Sequence, residues 1–229
     1  MKSGGSDAAK RRAGESAAEI PTDGDVVGLG TGSTAAHAIR ALGRRVDAGL
    51  DVRGVPTSYQ ARERAREAGV PLTDLDAVER LDVAMDGADR VAGDGAALVK
   101  GGGAAHAREK VVDAAADRFI VVVDPTKLSG SLDVPVPVEV LPDARATVAR
   151  RIRDAGGEPS LRAAERKDGP VVTDNGNLVL DCDFGTVDDP DALAARLSGV
   201  PGVVEHGLFV GLADEVHVGR EDGVTVRTP

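Results

Sequence analysis

The chain has 229 residues, 41% of them hydrophobic and only 2% aromatic, a length that buries a full core as one large domain or as a main domain with a smaller companion. Its 38 acidic residues outnumber its 28 basic ones for a net charge of −10, which excludes a protein that grips nucleic acid through a basic stripe. The acids are 26 Asp and 12 Glu and the bases 22 Arg and only 6 Lys, a bias expected of a salt-rich cytoplasm, where screening relieves self-repulsion.

From the N-terminus, the polar start MKSGGSDAAKRR leads into no signal-peptide core, and no apolar run approaches the roughly 20 residues that span a bilayer. A cytoplasmic protein without a membrane partner is therefore expected. Residues 7–19 are alanine-rich and stop before Pro21 and Gly24, which predicts a helix followed by a strand over 25–29. After the glycine-rich turn at 28–34 come a helix over 34–42, a strand over 52–55, a charged helix over 59–68 and a buried strand over 81–85. A helix over 105–116 and a β-branched strand over 119–123 continue the alternation, which predicts a parallel sheet wrapped by helices. Beyond Lys127 the pattern changes. The prolines at 135, 137 and 142 suit an edge or linking strand. Next come a helix over 144–155, strands at 158–162, 171–173 and 178–183, and a helix over 190–197. Strands over 204–210 and 215–218 close the chain. The expected organisation is a Rossmann-like parallel-sheet domain, 1–129 with 204–229, and a smaller α+β domain over 130–203.

Three stretches carry chemistry. GLGTGSTAAHAI, from Gly28, lies between a strand and a helix and lets backbone N–H groups approach an anion. It lacks the third glycine of the dinucleotide fingerprint and the lysine of a P-loop, which leaves a single terminal phosphate or merely a tight turn. MDGADRV puts Asp86 and Asp89 at the carboxyl end of a buried strand, where ligands of open α/β sheets bind, although either acid would also cap a turn. KGGGAAHAREK sets Lys100 before bare backbone and Glu109 on the following helix. A carboxylate and an ammonium beside a phosphate suit proton abstraction from carbon, and the same glutamate would otherwise be a solvated ion-pair partner. His37, His106, His206 and His217 have no metal-ligand spacing, so no metal is expected. The single Cys182, with no histidine motif beside it, reads as a small buried residue.

Taken in order, GTGSTAAHAI, DGAD, KGGGA with REK, DPTK at 124–127, PVEV at 137–140 and VVTDNGN at 171–177 resemble the ribose-5-phosphate isomerase A family over most of the chain. The resemblance implies interconversion of ribose 5-phosphate and ribulose 5-phosphate without metal or organic cofactor, in a homo-dimer or homo-tetramer. It implies that Glu109 is the proton acceptor, that Asp86, Gly87, Ala88 and Asp89 contact the substrate, and that Lys100, Gly101, Gly102 and Gly103 do so too. The resemblance also implies that Asp86, Asp89 and Lys100 share the catalysis with Glu109. Thr31, Gly32, Ser33 and Thr34 match the phosphate loop, Lys127 a further substrate lysine, and Lys10 a phosphate-facing lysine. The chain departs from the family's usual DGADE at Arg90, its segment from Asp89 to Lys100 is about one residue longer, and PTSYQ at 56–60 replaces a serine-rich loop, so Thr57 and Ser58 take no role. Two rivals stand beside this reading. One is an isomerase or deaminase of another phosphorylated sugar. The other is a sugar-phosphate sensor, disfavoured because about 25 residues before the first strand leave no room for a helix-turn-helix.

Overall fold

A computed structural model of the chain describes residues 5–93 and 95–229. The first residues of the polar start, and Asp94 in the segment that reads longer than the family pattern, lie outside the described residues. Helix α1 (Asp7–Ala18) begins where the Ser6 hydroxyl accepts from the Ala9 N–H at 3.1 Å, and its small residues Ala9, Ala13, Gly14 and Ala17 face inward. It is followed by β1 (Val26–Leu29), α2 (Ser33–Asp47), β2 (Arg53–Pro56), α3 (Tyr59–Glu67), β3 (Leu81–Asp86), β4 (Arg90–Ala92) and β5 (Ala97–Val99). Then come α4 (His106–Ala115), β6 (Ala116–Val123), β7 (Leu128–Ser129), β8 (Val136–Val140), α5 (Arg145–Asp154) and β9 (Glu158–Leu161). The chain ends with β10 (Leu178–Asp183), α6 (Pro190–Ser198), β11 (Val203–His206), β12 (Leu208–Val210), β13 (Glu215–Gly219) and β14 (Val224–Arg227). No helix among the described residues is long and apolar enough to cross a membrane.

The main sheet runs β14-β13-β6-β3-β1-β2, parallel from β2 to β13, with β14 antiparallel at the edge. Helices cover both faces, so β6 is apolar in both directions: Ile120 and Val122 enter one core cluster, Phe119, Val121 and Val123 the other. From β1 the chain moves outward to β2 and then returns to place β3 on the opposite side of β1. The loops leaving β1 and β3 therefore diverge, and a crevice opens at the carboxyl ends of these two strands.

A second, antiparallel sheet runs β11-β8-β10-β9. Here the expectation of an edge or linking strand at the prolines is corrected: β8 is central and buried along its whole length. Pro137 fits because, although its carbonyl accepts from the Gly207 N–H at 2.7 Å, the Gly207 carbonyl that would face the missing N–H accepts instead from the Lys100 N–H at 2.8 Å. A third sheet, β12-β5-β4-β7, joins the other two. The strand expected over 204–210 is thus two strands in different sheets, β11 and β12, divided at Gly207, where a Cβ would stand 2.2 Å from the Lys100 carbonyl oxygen. Val203, Glu205 and His206 accordingly pair with β8 and not with the main sheet.

Candidate active site

The crevice collects three loops. Gly30, after β1, donates its N–H to the Met85 carbonyl of β3 at 2.9 Å, and a Cβ on Gly30 would lie 2.2 Å from an Asp86 carboxylate oxygen, so only glycine lets the two loops touch. Gly32 follows at φ 112°, a backbone state for which glycine is suited, and gives α2 no side-chain cap. The first-turn N–H groups are left for an anion, backed by the helix dipole. One cleft is lined by the loop Thr31 to Thr34, by Gly87, Ala88 and Asp89, by Lys100 to Gly103, and by Glu109, Lys10 and Lys127. Residues far apart in the sequence, on α1, the loop after β5, α4 and the turn after β6, thus meet at one sheet edge.

Asp86 alone among the expected contact residues does not line the cleft. It is fully buried, its Oδ1 accepting from the N–H groups of Thr31 at 2.9 Å and Gly87 at 2.6 Å, while Oδ2 lies 2.9 Å from Lys100 Nζ. Its oxygens are taken up by the loop at Thr31, by the Gly87 N–H and by the lysine. Asp89 does reach the cleft, and its Oδ2 accepts from the Gly102 N–H at 2.6 Å.

Lys100 is 2% exposed, which for a lysine requires compensation from all sides. Its Nζ donates to the Gly87 carbonyl at 2.6 Å and lies 3.4 Å from Glu109 Oε2 and 3.6 Å from Asp113 Oδ2, with the Phe209 ring centroid 5.3 Å away. Burial works to lower its pKa, but the surrounding Asp86, Glu109 and Asp113 outweigh burial and hold the ammonium above the ordinary lysine value. One cation cannot balance three buried anions. Burial pushes Glu109 up to about 8, against the pull of Lys100 and with the push of Asp86 and Asp89, and raises Asp86 and, further, Asp113 in the same way.

Asp113 is absent from the sequence reading. It stands four residues after Glu109, the spacing that puts two side chains on one helix face, and that signal was available; an acid in an amphipathic helix is ordinarily read as facing water. Thr57 and Ser58, left without a role, are 2.8 and 2.6 Å from the Thr31 hydroxyl and fix it from below the loop. His37 pairs with Asp7, His217 with Glu215 and Ser16, and His206 with Lys110 and Ser198. His106 is buried under Gly101 and pushed down to about 3, first by burial and then by Arg162, so it is neutral. Among the described residues no three His, Cys, Asp or Glu side chains form a metal-sized group. Burial pushes the Cys182 thiol up to about 12, which makes it an unreactive core residue.

Residues 53–223 match the family model described as Ribose 5-phosphate isomerase A (phosphoriboisomerase A). The chain is 69% identical over 228 residues to the Ribose-5-phosphate isomerase A of Haloarcula marismortui, covering 100% of this chain and 99% of that one. Among solved structures it is similar to ribose 5-phosphate isomerase A from Methanocaldococcus jannaschii, with a TM-score of 0.92 and 43% identity over 96% of this chain and 98% of that one. A D-ribose-5-phosphate isomerase solved in complex with phospho-erythronic acid matches with a TM-score of 0.93 and 42% identity, over 96% of this chain and 97% of that one.

Proposed function

Because the chain belongs to the ribose 5-phosphate isomerase A family, we propose that its cleft interconverts D-ribose 5-phosphate and D-ribulose 5-phosphate through an enediolate. The observation that carries this reading is the Lys100–Glu109 pair, 3.4 Å apart in a cleft whose other end is the hydroxyl loop Thr31 to Thr34. The 5-phosphate sits on the N–H and O–H groups of that loop, with Lys10 and Lys127 supplying positive charge. Anchored there, the open-chain sugar brings C1 and C2 up against the Glu109–Lys100 pair. Glu109 removes the C2 proton of the aldose and returns it to C1, the O2 hydroxyl proton passes to O1, and Lys100 and the N–H groups of the glycine loop stabilise the oxyanion that forms between the two steps. A base whose pKa lies near 8 is well matched to that exchange, since it is neither permanently ionised nor permanently protonated at neutral pH. Asp86 holds Lys100 and Thr31 in place, and Asp89 holds the glycine loop and meets the sugar hydroxyls.

The solved neighbour's ligand joins a phosphate to a carboxylate, charges that this cleft would meet with the hydroxyl loop at one end and Lys100 at the other. We place the enzyme in the cytoplasm, as a homo-dimer or homo-tetramer, on the family resemblance. A coupled assay separates this function from its rivals. Ribose 5-phosphate is expected to turn over, glucosamine 6-phosphate is not, and free ribose turns over poorly because remote phosphate binding supports the chemistry. No turnover of any of the three would favour a sensor. Equal kcat/KM for ribose and its 5-phosphate would remove the phosphate loop from the mechanism.

A further inference from the structure

The glycine loop that carries Lys100 is held from above by the second sheet. Arg162, the residue after β9, donates from Nη1 to the Gly101 carbonyl at 2.8 Å, and its guanidinium is gripped by Asp181 of β10 through Nε at 2.9 Å and through Nη2. The same Gly101 carbonyl accepts from the Ala104 N–H at 2.9 Å, closing the turn that leads into α4. Gly101 has φ 104°, and Ala104, with φ 58°, is the non-glycine residue with a left-handed backbone among the described residues. Such a conformation in a residue with a Cβ persists only where surrounding contacts over-determine it. Arg162 is one of those contacts. Asp89 holds the other side of the loop through Gly102, and β12 follows Gly207, whose carbonyl accepts from the Lys100 N–H at 2.8 Å.

We propose that Arg162, oriented by Asp181, is a positioning residue of the isomerase reaction, clamping the Gly101–Ala104 turn so that Lys100 before it and Glu109 after it stay paired where they meet the substrate. The guanidinium does not line the cleft; it acts through the backbone between the two charged residues. A planar fork is required, because one edge binds a carboxylate while a further N–H binds a carbonyl. The phosphate loop at Thr31 to Thr34 lies on a different connection, so the clamp bears on the chemical step and leaves phosphate capture nearly unchanged.

The inference rests on the isomerase reading, and the test is built to tell the two apart. Arg162→Ala, Arg162→Lys, Asp181→Asn and the double variant Arg162→Ala/Asp181→Asn are made in the full chain and assayed with ribose 5-phosphate alongside the native protein, with melting curves for each. Arg162→Ala is expected to lose on the order of 10- to 100-fold in kcat, the scale of a displacement of about 1 Å at a catalytic group, with KM altered by less than about threefold. Arg162→Lys should recover part of the loss. Asp181→Asn should show a similar but smaller loss, and the double variant should be no worse than Arg162→Ala alone, since both changes break one unit. Native-like kcat in Arg162→Ala, or additive losses in the double variant, would overturn the inference. If Arg162→Ala does not fold, Arg162→Lys and Asp181→Asn decide it by the same split between kcat and KM. A native chain that fails to isomerise ribose 5-phosphate would remove the functional reading itself, and this inference with it; an active native chain with an equally active Arg162→Ala removes the inference alone.

Discussion

At the scale of single residues the site is a buried charge cluster that works against stability. Glu109 has a folded-state pKa of about 8, well above its ordinary value, so between about pH 4.5 and 8 the folded chain holds a proton that the unfolded chain has lost. Its contribution to stability is complete below that window and is lost as pH rises through it. The melting temperature of the ligand-free protein should therefore fall from pH 5 to pH 8, and the fall should be smaller in Glu109→Gln, which carries no titrating group there. A native profile that rises over the same range would contradict the burial argument. Activity should move the other way, kcat/KM increasing with pH until Glu109 is ionised. Glu109→Gln keeps the shape and the hydrogen-bonding capacity but cannot take and return a proton, so kcat should drop by at least ~10²–10⁴ while binding survives. Deuterium uptake from D₂O into the sugar at near-native rate in this variant would strike Glu109 from the mechanism. Glu109 and Lys100 were legible from the sequence because their spacing sits in a glycine-rich motif; Asp113, which shares the lysine, was not, because nothing local tells an inward acid from an outward one.

At the scale of elements, α1 matters because it carries Lys10 to the cleft, and its seat is set by small residues. A Cβ on Gly14 would lie 2.5 Å from the Ala38 backbone nitrogen of α2, and one on Gly219 would lie 1.9 Å from the Ala9 carbonyl oxygen. Neither obstacle is a flexible side chain. Gly14→Ala should push α1 away from α2 at a cost of about 1–3 kcal/mol, lowering the melting temperature by several degrees, and should raise KM for ribose 5-phosphate more than it lowers kcat. A variant with native melting and native KM would show that the helix has more freedom than these distances allow. Most long elements were readable from periodicity and punctuation. The strands β4 and β5 of the third sheet were not, since they are three residues each and too short to display an alternation, and β12 was read as one strand with β11. Proline content misplaced β8 because it reports the missing donor and not whether a neighbour strand would have used it.

At the scale of the whole molecule the dominant fact is the charge of −10. Surface ion pairs such as Arg64–Glu67 and Arg66–Glu63 are well exposed and contribute little individually, so the acidic excess acts mainly as diffuse self-repulsion. Screening should relieve it. The melting temperature is expected to increase from low salt to molar KCl, and a steady decrease over that range would show that the acidic surface does not govern stability.

The sequence by itself determined the alternation of strand and helix, the glycine turn, the family and the residues of the motifs, because each is encoded in short runs of consecutive positions and in their order along the chain. Only the tertiary structure decided that Asp86 supports the loop from beneath instead of entering the cleft, that Asp113 joins the charge cluster, and that Arg162 from the second sheet reaches the Gly101 carbonyl. The physical reason is common to all three. Burial and hydrogen-bond partnership are properties of where distant segments meet, and the direction in which a carboxylate or guanidinium points is set by the packing of sheets that the local sequence does not specify.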